Sequence, residues 1–373
     1  MFWYWFYDPL TGIALFIAYI AGFIGVTLLA SKIAPVIASR VSNRLPLATS
    51  MGLMLLSIVI AIVFAMYVIW MILDALGLTI GILPLLVFVL IMNIGTWLLS
   101  PWLINIMYGA RHDPDLQVVV DEVARRAGMS KPPKAMVVDG PPNAFAYGNI
   151  LTGKYVAVTR EMLRMTSREE LEAVIGHELG HHKHRDNTIM LLLGIFPSII
   201  YFLGIILIRY GLYSSVARLS SKRSEAGSGG LLLVAAGIVI VVISFIIQVM
   251  VLAFSRLREY YADAHGAYVA GARNMQRALA KIHLYYEAEP RTREHIDNSK
   301  LRTLFIYALT EAAANPFYSP GWRRELRTDI DHVIEAIKNQ PVNPSAEVLM
   351  SHPPIPKRLR FLDKIAYGQE RIY

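Results

Sequence analysis

The stretch Ile175-Gly-His-Glu-Leu-Gly-His-His-Lys-His-Arg-Asp186 contains four histidines within eight residues, beside one glutamate. It follows Ser167-Arg-Glu-Glu170, which has the pattern of a capping box at the start of a helix. Leu171, Val174 and Ile175 then lie at helical spacing. The first half of the stretch is therefore predicted to be helical.

A helix places His177 and His181 on one face, because residues four apart are neighbours on the helix surface. Two imidazoles in this arrangement can bind one metal ion, and a helical HExxH is the pattern of a zinc site with a catalytic glutamate. Glu178 lies about 100° further round the helix, which suits a general base beside the metal rather than a ligand. His182 and His184 face elsewhere and are predicted to be solvated or interfacial.

The chain as a whole has a membrane-protein composition: 373 residues, of which 55% are apolar and only 17% charged. The apolar residues form blocks near the ~20 residues that a membrane-spanning helix requires. An integral membrane protein in contact with the lipid bilayer is therefore predicted. The predicted spans are Leu10–Leu29, Met51–Leu73, Ile82–Met107, Thr188–Ile208 and Leu231–Phe254.

The charge and the cysteine content limit the possible binding partners and the possible metal ligands. The net charge is +8, but lysines and arginines flank the apolar blocks and no basic run is interleaved with aromatics, so nucleic acid is not an expected partner. The chain has no cysteine, so any metal must be bound by His, Asp or Glu. The spans contain almost no ionisable residues, which argues against a polytopic transporter.

The polar segments are predicted to form one soluble domain in two parts. Residues 1–110 are predicted as an N-terminal transmembrane region with about three spans, 111–187 as the first part of the domain, 188–254 as a transmembrane hairpin and 255–373 as the second part.

Within these polar parts the predicted elements are short. They are a helix at Pro114–Ala127, strands at Lys134–Val138 and Tyr155–Val158, a strand or turn at Asn143–Gly148, and a helix at Asp329–Asn339 within the otherwise uninterpreted Glu287–Met350. The predicted fold class is an α-helical membrane protein with an α+β, zincin-like domain, which combines a small edge-exposed sheet with the HExxH helix.

A third metal ligand is predicted from topology. Catalytic zinc takes three protein ligands and keeps one position open. Because a pair of antiparallel spans brings its ends together, residues just after Phe254 should lie next to residues just before Thr188. Glu259 and Asp263 are there, four apart on one helical face. Glu259 is the predicted third ligand, and Asp263 is predicted to accept the free N–H of a ligand histidine.

Two alternatives for this segment stay open at this point. Glu259 could instead pair with Arg256 or Arg258 as an interfacial ion pair. His265 and Asp263 could also exchange roles, although His265 lies on another helical face.

With HELGH, a transmembrane hairpin and then Glu259-Tyr-Tyr-Ala-Asp263, the chain resembles the HtpX-like branch of the M48 zinc metallopeptidases, which are integral-membrane gluzincins. The resemblance covers roughly Arg111 to Leu362. It implies a zinc metalloendopeptidase with one Zn²⁺ per chain, the three ligands named above, and Glu178 as general base. Members of this branch usually have two spans before the protease domain, whereas three are predicted here.

Two further motifs depend on the resemblance alone. Pro142-Asn-Ala-Phe-Ala-Tyr-Gly148 matches the edge-strand motif of the family, which implies that Asn143 binds the substrate backbone. Ser351-His-Pro-Pro-Ile-Pro-Lys-Arg358 matches the late His-Pro motif, which implies that His352 stabilises the oxyanion and Arg358 supports the site. From the residues alone, Asn143 could be a turn residue, His352 a surface-loop residue and Arg358 part of a solvated basic face.

The distribution of basic residues predicts that the N-terminus lies outside and the protease domain in the cytoplasm, and the expected location is a prokaryotic plasma membrane. Basic residues at positions 32–44 follow the first span, and the basic domain begins at Arg111. The basic residues of the loop at 218–223 oppose this orientation. The resemblance implies polypeptide substrates, namely misfolded or damaged membrane proteins. A zinc-binding membrane scaffold without turnover is the main alternative function.

Overall fold

The computed structural model describes residues 47–78, 83–220, 229–288, 329–342, 347–348 and 350–368. The first predicted span, Leu10–Leu29, lies outside these residues, as does most of Glu287–Met350.

The helices are α1 (Leu47–Ala75), α2 (Leu83–Met107), α3 (Pro114–Arg126), α4 (Arg160–Met165), α5 (Arg168–Lys183), α6 (Asp186–Ser220), α7 (Gly229–Ala270), α8 (Ala272–Ala288), α9 (Ile330–Lys338) and α10 (Ile355–Ala366). The strands are β1 (Arg111–His112), β2 (Lys134–Val138), β3 (Ala144–Asn149) and β4 (Gly153–Thr159).

Among the described residues, α1, α2, α6 and α7 are long and apolar enough to cross a membrane. They coincide with the second to fifth predicted spans. Both later helices extend past the prediction, since α6 continues to Ser220 and α7 runs without a break from Gly229 to Ala270. The fifth span and the segment with Glu259 are therefore one continuous helix, which restricts the orientation of that carboxylate.

The chain divides into two compact units. One contains Gly52–Gly95 and Leu191–Val251. Within it, α6 and α7 approach closely at Gly204 and Gly237, because a Cβ on Gly204 would lie 2.9 Å from the carbonyl oxygen of Gly237. Small residues at such a crossing are a common feature of packed membrane helices.

The second unit contains the described residues within Leu45–Met51, Thr96–Met190 and Leu252–Tyr373. Its sheet has the strand order β1-β2-β4-β3, with β2 parallel to β4 and β3 antiparallel to β4. The segment predicted as a strand or turn is thus the strand β3, which lies at one edge of the sheet. The predicted capping box is formed, since the Ser167 and Glu170 side chains bond each other's backbone N–H groups at the start of α5.

The core of this unit lies between the sheet and the helices α3, α5 and α8. Val120, Val156, Val174 and Leu279 are among its fully buried side chains. The described elements confirm the predicted fold class, which combines membrane helices with a small mixed sheet and a buried HExxH helix.

Candidate metal centre

The helices α5 and α7 cross in contact with each other because small residues line the crossing. A Cβ on Gly176 would lie 3.1 Å from the Cα of Gly266, and one on Gly180 would lie 3.2 Å from the Cα of Ala262. A Cβ on Gly266 would lie only 2.6 Å from the carbonyl oxygen of Ala173. These glycines leave no room for side chains, so the polar faces of the two helices meet.

His177, His181 and Glu259 meet at this crossing, with one ligand atom of each within 4.8 Å of the others. The two Nε2 atoms are 3.2 Å apart. The Nε2 atoms of His177 and His181 each lie 3.6 Å from an oxygen of Glu259. The structure therefore brings together the two histidines of α5 and the glutamate 78 positions after His181 on α7.

A carboxylate beside Nδ1 of each histidine determines the tautomer of the ring. Nδ1 of His177 lies 2.9 Å from Oδ1 of Asp263, and Nδ1 of His181 lies 2.6 Å from Oδ2 of Asp186. Since carboxylates only accept hydrogen bonds, each Nδ1 that faces one carries a hydrogen. The two Nε2 atoms then face each other and the Glu259 carboxylate, which makes them the candidate metal-binding atoms of the two rings.

Three converging electron-pair donors fit a metal cation. Ligand atoms placed about 2.0–2.1 Å from one tetrahedral ion lie roughly 3.3–3.4 Å apart, close to the observed 3.2 and 3.6 Å. Two imidazole nitrogens and a carboxylate that converge in this way favour a positive charge between them, and a divalent metal bound there would replace a proton on His181.

Asp263 is itself held by Arg358. Nε of Arg358 donates to Oδ2 of Asp263 over 2.8 Å, and both side chains are fully buried. Nη1 of Arg358 also lies 3.9 Å from Oε2 of Glu259. A buried guanidinium needs such partners, so the structure places Arg358 behind the site and not on a solvated basic face.

A second carboxylate–arginine pair supports His181. Oδ2 of Asp186 accepts from Nη2 of Arg258 over 2.8 Å, and both residues are buried. Although burial opposes protonation, Asp186 and the charge of Glu259 raise the pKa of the His181 imidazole to about 9. Sequence reasoning missed this pair, because Asp186 enters the site only through the turn at Arg185, whose φ is 56°.

The alternative partners considered for Glu259 are engaged elsewhere. Arg258 pairs with Asp186, and Arg256 donates to the carbonyl oxygens of Val348 and Met350. The interfacial ion pair proposed as an alternative for Glu259 is therefore not formed.

The other histidines of this region have structural contacts. Nε2 of His182 donates to the Tyr155 carbonyl over 2.7 Å, and burial lowers the pKa of its imidazole to about 4. The prediction that His182 is solvated or interfacial is wrong, because it links α5 to β4 as a neutral ring. His184 packs edge-on against Tyr261, and His265 donates from Nδ1 to the Gly176 carbonyl, so it does not exchange roles with Asp263.

Glu178 and His352 also lie at the site. Glu178 is buried on α5, one residue after His177. Nδ1 of His352 lies 2.9 Å from Oε2 of Glu259. His352 is buried and is not a surface-loop residue.

Asn143 lies at the start of the edge strand and is buried. Its backbone N–H donates to Oγ1 of Thr159, and its carbonyl accepts from the N–H of Thr159, each over 2.9 Å. Because antiparallel pairs alternate, Ala144, Ala146 and Gly148 direct their backbone groups to the outer side of β3. Ala146 and Gly148 line a cavity of about 960 Å³ that His181 also lines.

Comparison with known proteins identifies the family. The model of "Peptidase family M48" matches residues 110–366. A "Protease HtpX homolog" of Pyrobaculum aerophilum is 50% identical over 353 residues, covering 94% of this chain and 96% of its own. Another from Archaeoglobus fulgidus is 50% identical over 361 residues, covering 97% and 98%. The crystal structure of S. mikatae Ste24p aligns with 96% of this chain and 77% of its own, at 19% identity and a TM-score of 0.49.

The family match includes α5, the hairpin of α6 and α7, and α10, so all the residues discussed above lie inside it. The described part of the chain adds four helices of membrane-spanning length and composition. The chain is therefore a multi-pass membrane metalloprotease that belongs to peptidase family M48.

Proposed function

We propose that His177, His181 and Glu259 bind one zinc ion, while Asp263 and Asp186 orient the two imidazoles. The observation that carries this proposal is the convergence of two imidazoles and one carboxylate, with Nδ1 of each ring facing a different carboxylate. A set of two imidazoles and one carboxylate is typical of catalytic zinc, since it leaves one coordination position open. Zinc bound there would supply a Lewis acid that polarises the scissile carbonyl and lowers the pKa of water.

Glu178 is the general base of the proposed reaction. Its carboxylate is buried one residue after His177 and outside the set of three ligands. It accepts a proton from the attacking water and passes it to the leaving amine as the peptide bond breaks.

His352 stabilises the oxyanion that develops on the scissile carbonyl. Its buried ring touches Glu259 through Nδ1, which leaves Nε2 as the second polar atom of the ring. A ring nitrogen of His352 that carries a hydrogen can donate it to an oxyanion. Arg358 acts further away, by holding Asp263 against His177.

The substrate binds in an extended conformation along the outer side of β3. Strand addition uses outward backbone groups such as those of Ala146 and Gly148, which are partly exposed. The cavity beside β3 also reaches His181, so a peptide paired with this edge can approach the metal ligands. Asn143 immediately precedes this strand and bonds to Thr159, and we assign it to substrate binding because it matches the edge-strand motif of the family.

The proposed substrates are misfolded or damaged membrane proteins, as the resemblance to the HtpX-like branch implies. We place the protease domain in the cytoplasm because basic residues follow the first predicted span. We assign the enzyme to a prokaryotic plasma membrane, which the relatives from Pyrobaculum aerophilum and Archaeoglobus fulgidus support. A single cysteine at Val118 tests the orientation: an impermeant thiol reagent should label it only after cell lysis, and labelling of intact cells would reverse the assignment.

Proteolysis of an unfolded protein by the reconstituted, zinc-loaded enzyme tests the proposed function. The wild type should cleave it, and Glu178→Gln should retain zinc while its rate falls by about 10²–10⁴. Glu169→Gln, an exposed position on the same helix, is the matched control and should cleave like the wild type.

The same assay distinguishes the alternatives. A Glu178→Gln variant as active as the wild type would exclude Glu178 as the base. A wild type that binds zinc and cleaves nothing would instead support the scaffold without turnover.

A further inference from the structure

We infer that the tip of the β3–β4 hairpin, Ile150 and Leu151, enters the lipid bilayer beside α2. These two side chains are 81% and 72% exposed in the described structure. Adjacent apolar side chains at a protruding tip are unfavourable in water and suit a hydrocarbon environment.

The geometry of the turn does not depend on Ile150 or Leu151. Oδ1 of Asn149 accepts from the backbone N–H groups of Leu151 and Thr152, over 2.9 and 3.1 Å. Gly153 takes the positive φ of 83° that closes the loop. Since Gly, Asn, Asp, Ser and Pro are the residues that favour turns, the fold gives no reason for an isoleucine and a leucine here.

The hairpin is attached to the membrane helix at a proline. Pro101 has no N–H, so the carbonyl of Trp97 loses its helical donor. Nδ2 of Asn149 donates to the carbonyls of Trp97 and Leu98 over 3.1 and 2.9 Å, and Oγ of Ser100 also donates to the Trp97 carbonyl. Backbone carbonyls within a bilayer need such donors because no water is present to replace them.

The strand that leads to the tip lies along the same helix. The hydroxyl of Tyr147 donates to Oδ1 of Asn105 over 2.6 Å, and the ring of Phe145 lies 5.5 Å from that of Tyr108. The position of the tip relative to α2 is therefore determined at several points and not by Asn149 alone.

The level at which the tip meets α2 is apolar. The contact at Trp97 falls within the candidate span Val87–Met107. Beyond it, towards the end of the helix, Leu99, Trp102 and Ile106 remain exposed. Because exposed apolar side chains of α2 continue past the tip, a bilayer that covers them also covers Ile150 and Leu151.

If the protein has the proposed proteolytic function, the position of the tip also determines where a substrate enters. Ile150 lines the same cavity as His181, so one end of the proposed substrate cleft opens at the bilayer. A polypeptide leaving the membrane would then meet the edge strand without crossing bulk water.

Single-cysteine labelling tests the bilayer contact without any reference to activity. The chain has no native cysteine, so Ile150→Cys and Leu151→Cys can each carry one environment-sensitive fluorophore. The labelled full chain is reconstituted into phosphatidylcholine vesicles with or without bromine on the acyl chains. Val118→Cys, an apolar position 63% exposed on α3, is the aqueous control, and Ile91→Cys, 61% exposed in the α2 span, is the lipid control.

Labels at positions 150 and 151 should lose at least half as much fluorescence to brominated lipid as the label at position 91. They should also resist aqueous iodide, whereas the label at position 118 should be quenched by iodide alone. Labels at the tip that iodide quenches as strongly as at position 118 would overturn the inference. Protection from both quenchers would also overturn it, because it would indicate burial against protein.

Discussion

At the scale of single residues, each proposed zinc-binding histidine has its own carboxylate, and each carboxylate has its own arginine. Asp263 bonds Nδ1 of His177 and is held by Arg358. Asp186 bonds Nδ1 of His181 and is held by Arg258. Such partners fix the tautomer and orientation of a ligand ring, so their removal weakens metal binding even though they do not touch the metal.

Asp186→Asn tests the part of this arrangement that the sequence did not reveal. The zinc affinity should fall about 10–100-fold, because an amide holds the His181 ring and balances Arg258 less well than a carboxylate. Competition with a chelator measures the affinity. Asp139→Asn is the matched control, since that carboxylate is exposed and pairs only with Arg160 among the described residues. Equal zinc affinity in wild type and Asp186→Asn would show that Asp186 does not position His181.

His352→Phe separates two roles of a ring that touches Glu259. If His352 stabilises the oxyanion, cleavage should slow by about 10²–10³ while the zinc content is retained. Rate and metal content are measured on the same preparation. Loss of zinc from this variant would contradict the oxyanion role and show that His352 holds Glu259 in place.

The sequence predicted some residues of the site and missed others for physical reasons. Glu259 and Asp263 could be predicted from the sequence, because their i, i+4 spacing and the antiparallel spans place them opposite the HExxH helix. Asp186 and Arg258 were not, because their meeting depends on the left-handed turn at Arg185. His182 was predicted wrongly, since its burial under β4 is a tertiary effect that helix geometry does not show.

At the scale of elements, the contact between α5 and α7 determines whether the ligands can converge. The HExxH helix contributes Gly176 and Gly180 to this contact, and α7 contributes Gly266. The helices themselves follow from periodicity and hydropathy. The close approach of the two helices cannot be predicted in this way, because the sequence does not show which helix packs against a given glycine.

Gly266→Ala should force the two helices apart. The added Cβ would lie 2.6 Å from the Ala173 carbonyl oxygen, a clash that costs about 1–3 kcal/mol of stability. Thermal unfolding in detergent measures the stability, and chelator competition should show weaker zinc binding in the same variant.

Gly194→Ala on α6 is the matched control, because a Cβ there meets nothing within 4 Å. It should leave the stability unchanged or raise it by up to about 1 kcal/mol. If Gly266→Ala were as stable as this control and bound zinc with normal affinity, close contact between α5 and α7 at Gly266 would not be required for the metal site.

At the scale of the whole molecule, composition and the order of segments predicted the fold class and the four described membrane-length helices. Four predicted spans coincide with described membrane-length helices, and the polar segments before and after the hairpin form one compact unit. Hydropathy could not predict that α7 continues unbroken to Ala270, because the end of the apolar run is not the end of the helix. The polar extension is stabilised by its packing on α5, which is a property of the folded chain.

The zinc content of the purified enzyme beside that of Glu259→Gln tests most directly whether a carboxylate beyond the hairpin completes the site. The wild type should retain one zinc ion per chain after dialysis against a weak chelator. Glu259→Gln should lose most of it, because an amide is a poor zinc ligand. Glu335→Gln, which changes an exposed glutamate on α9, should retain zinc like the wild type. A zinc content in Glu259→Gln equal to that of the wild type would contradict the proposal that Glu259 binds the metal together with His177 and His181.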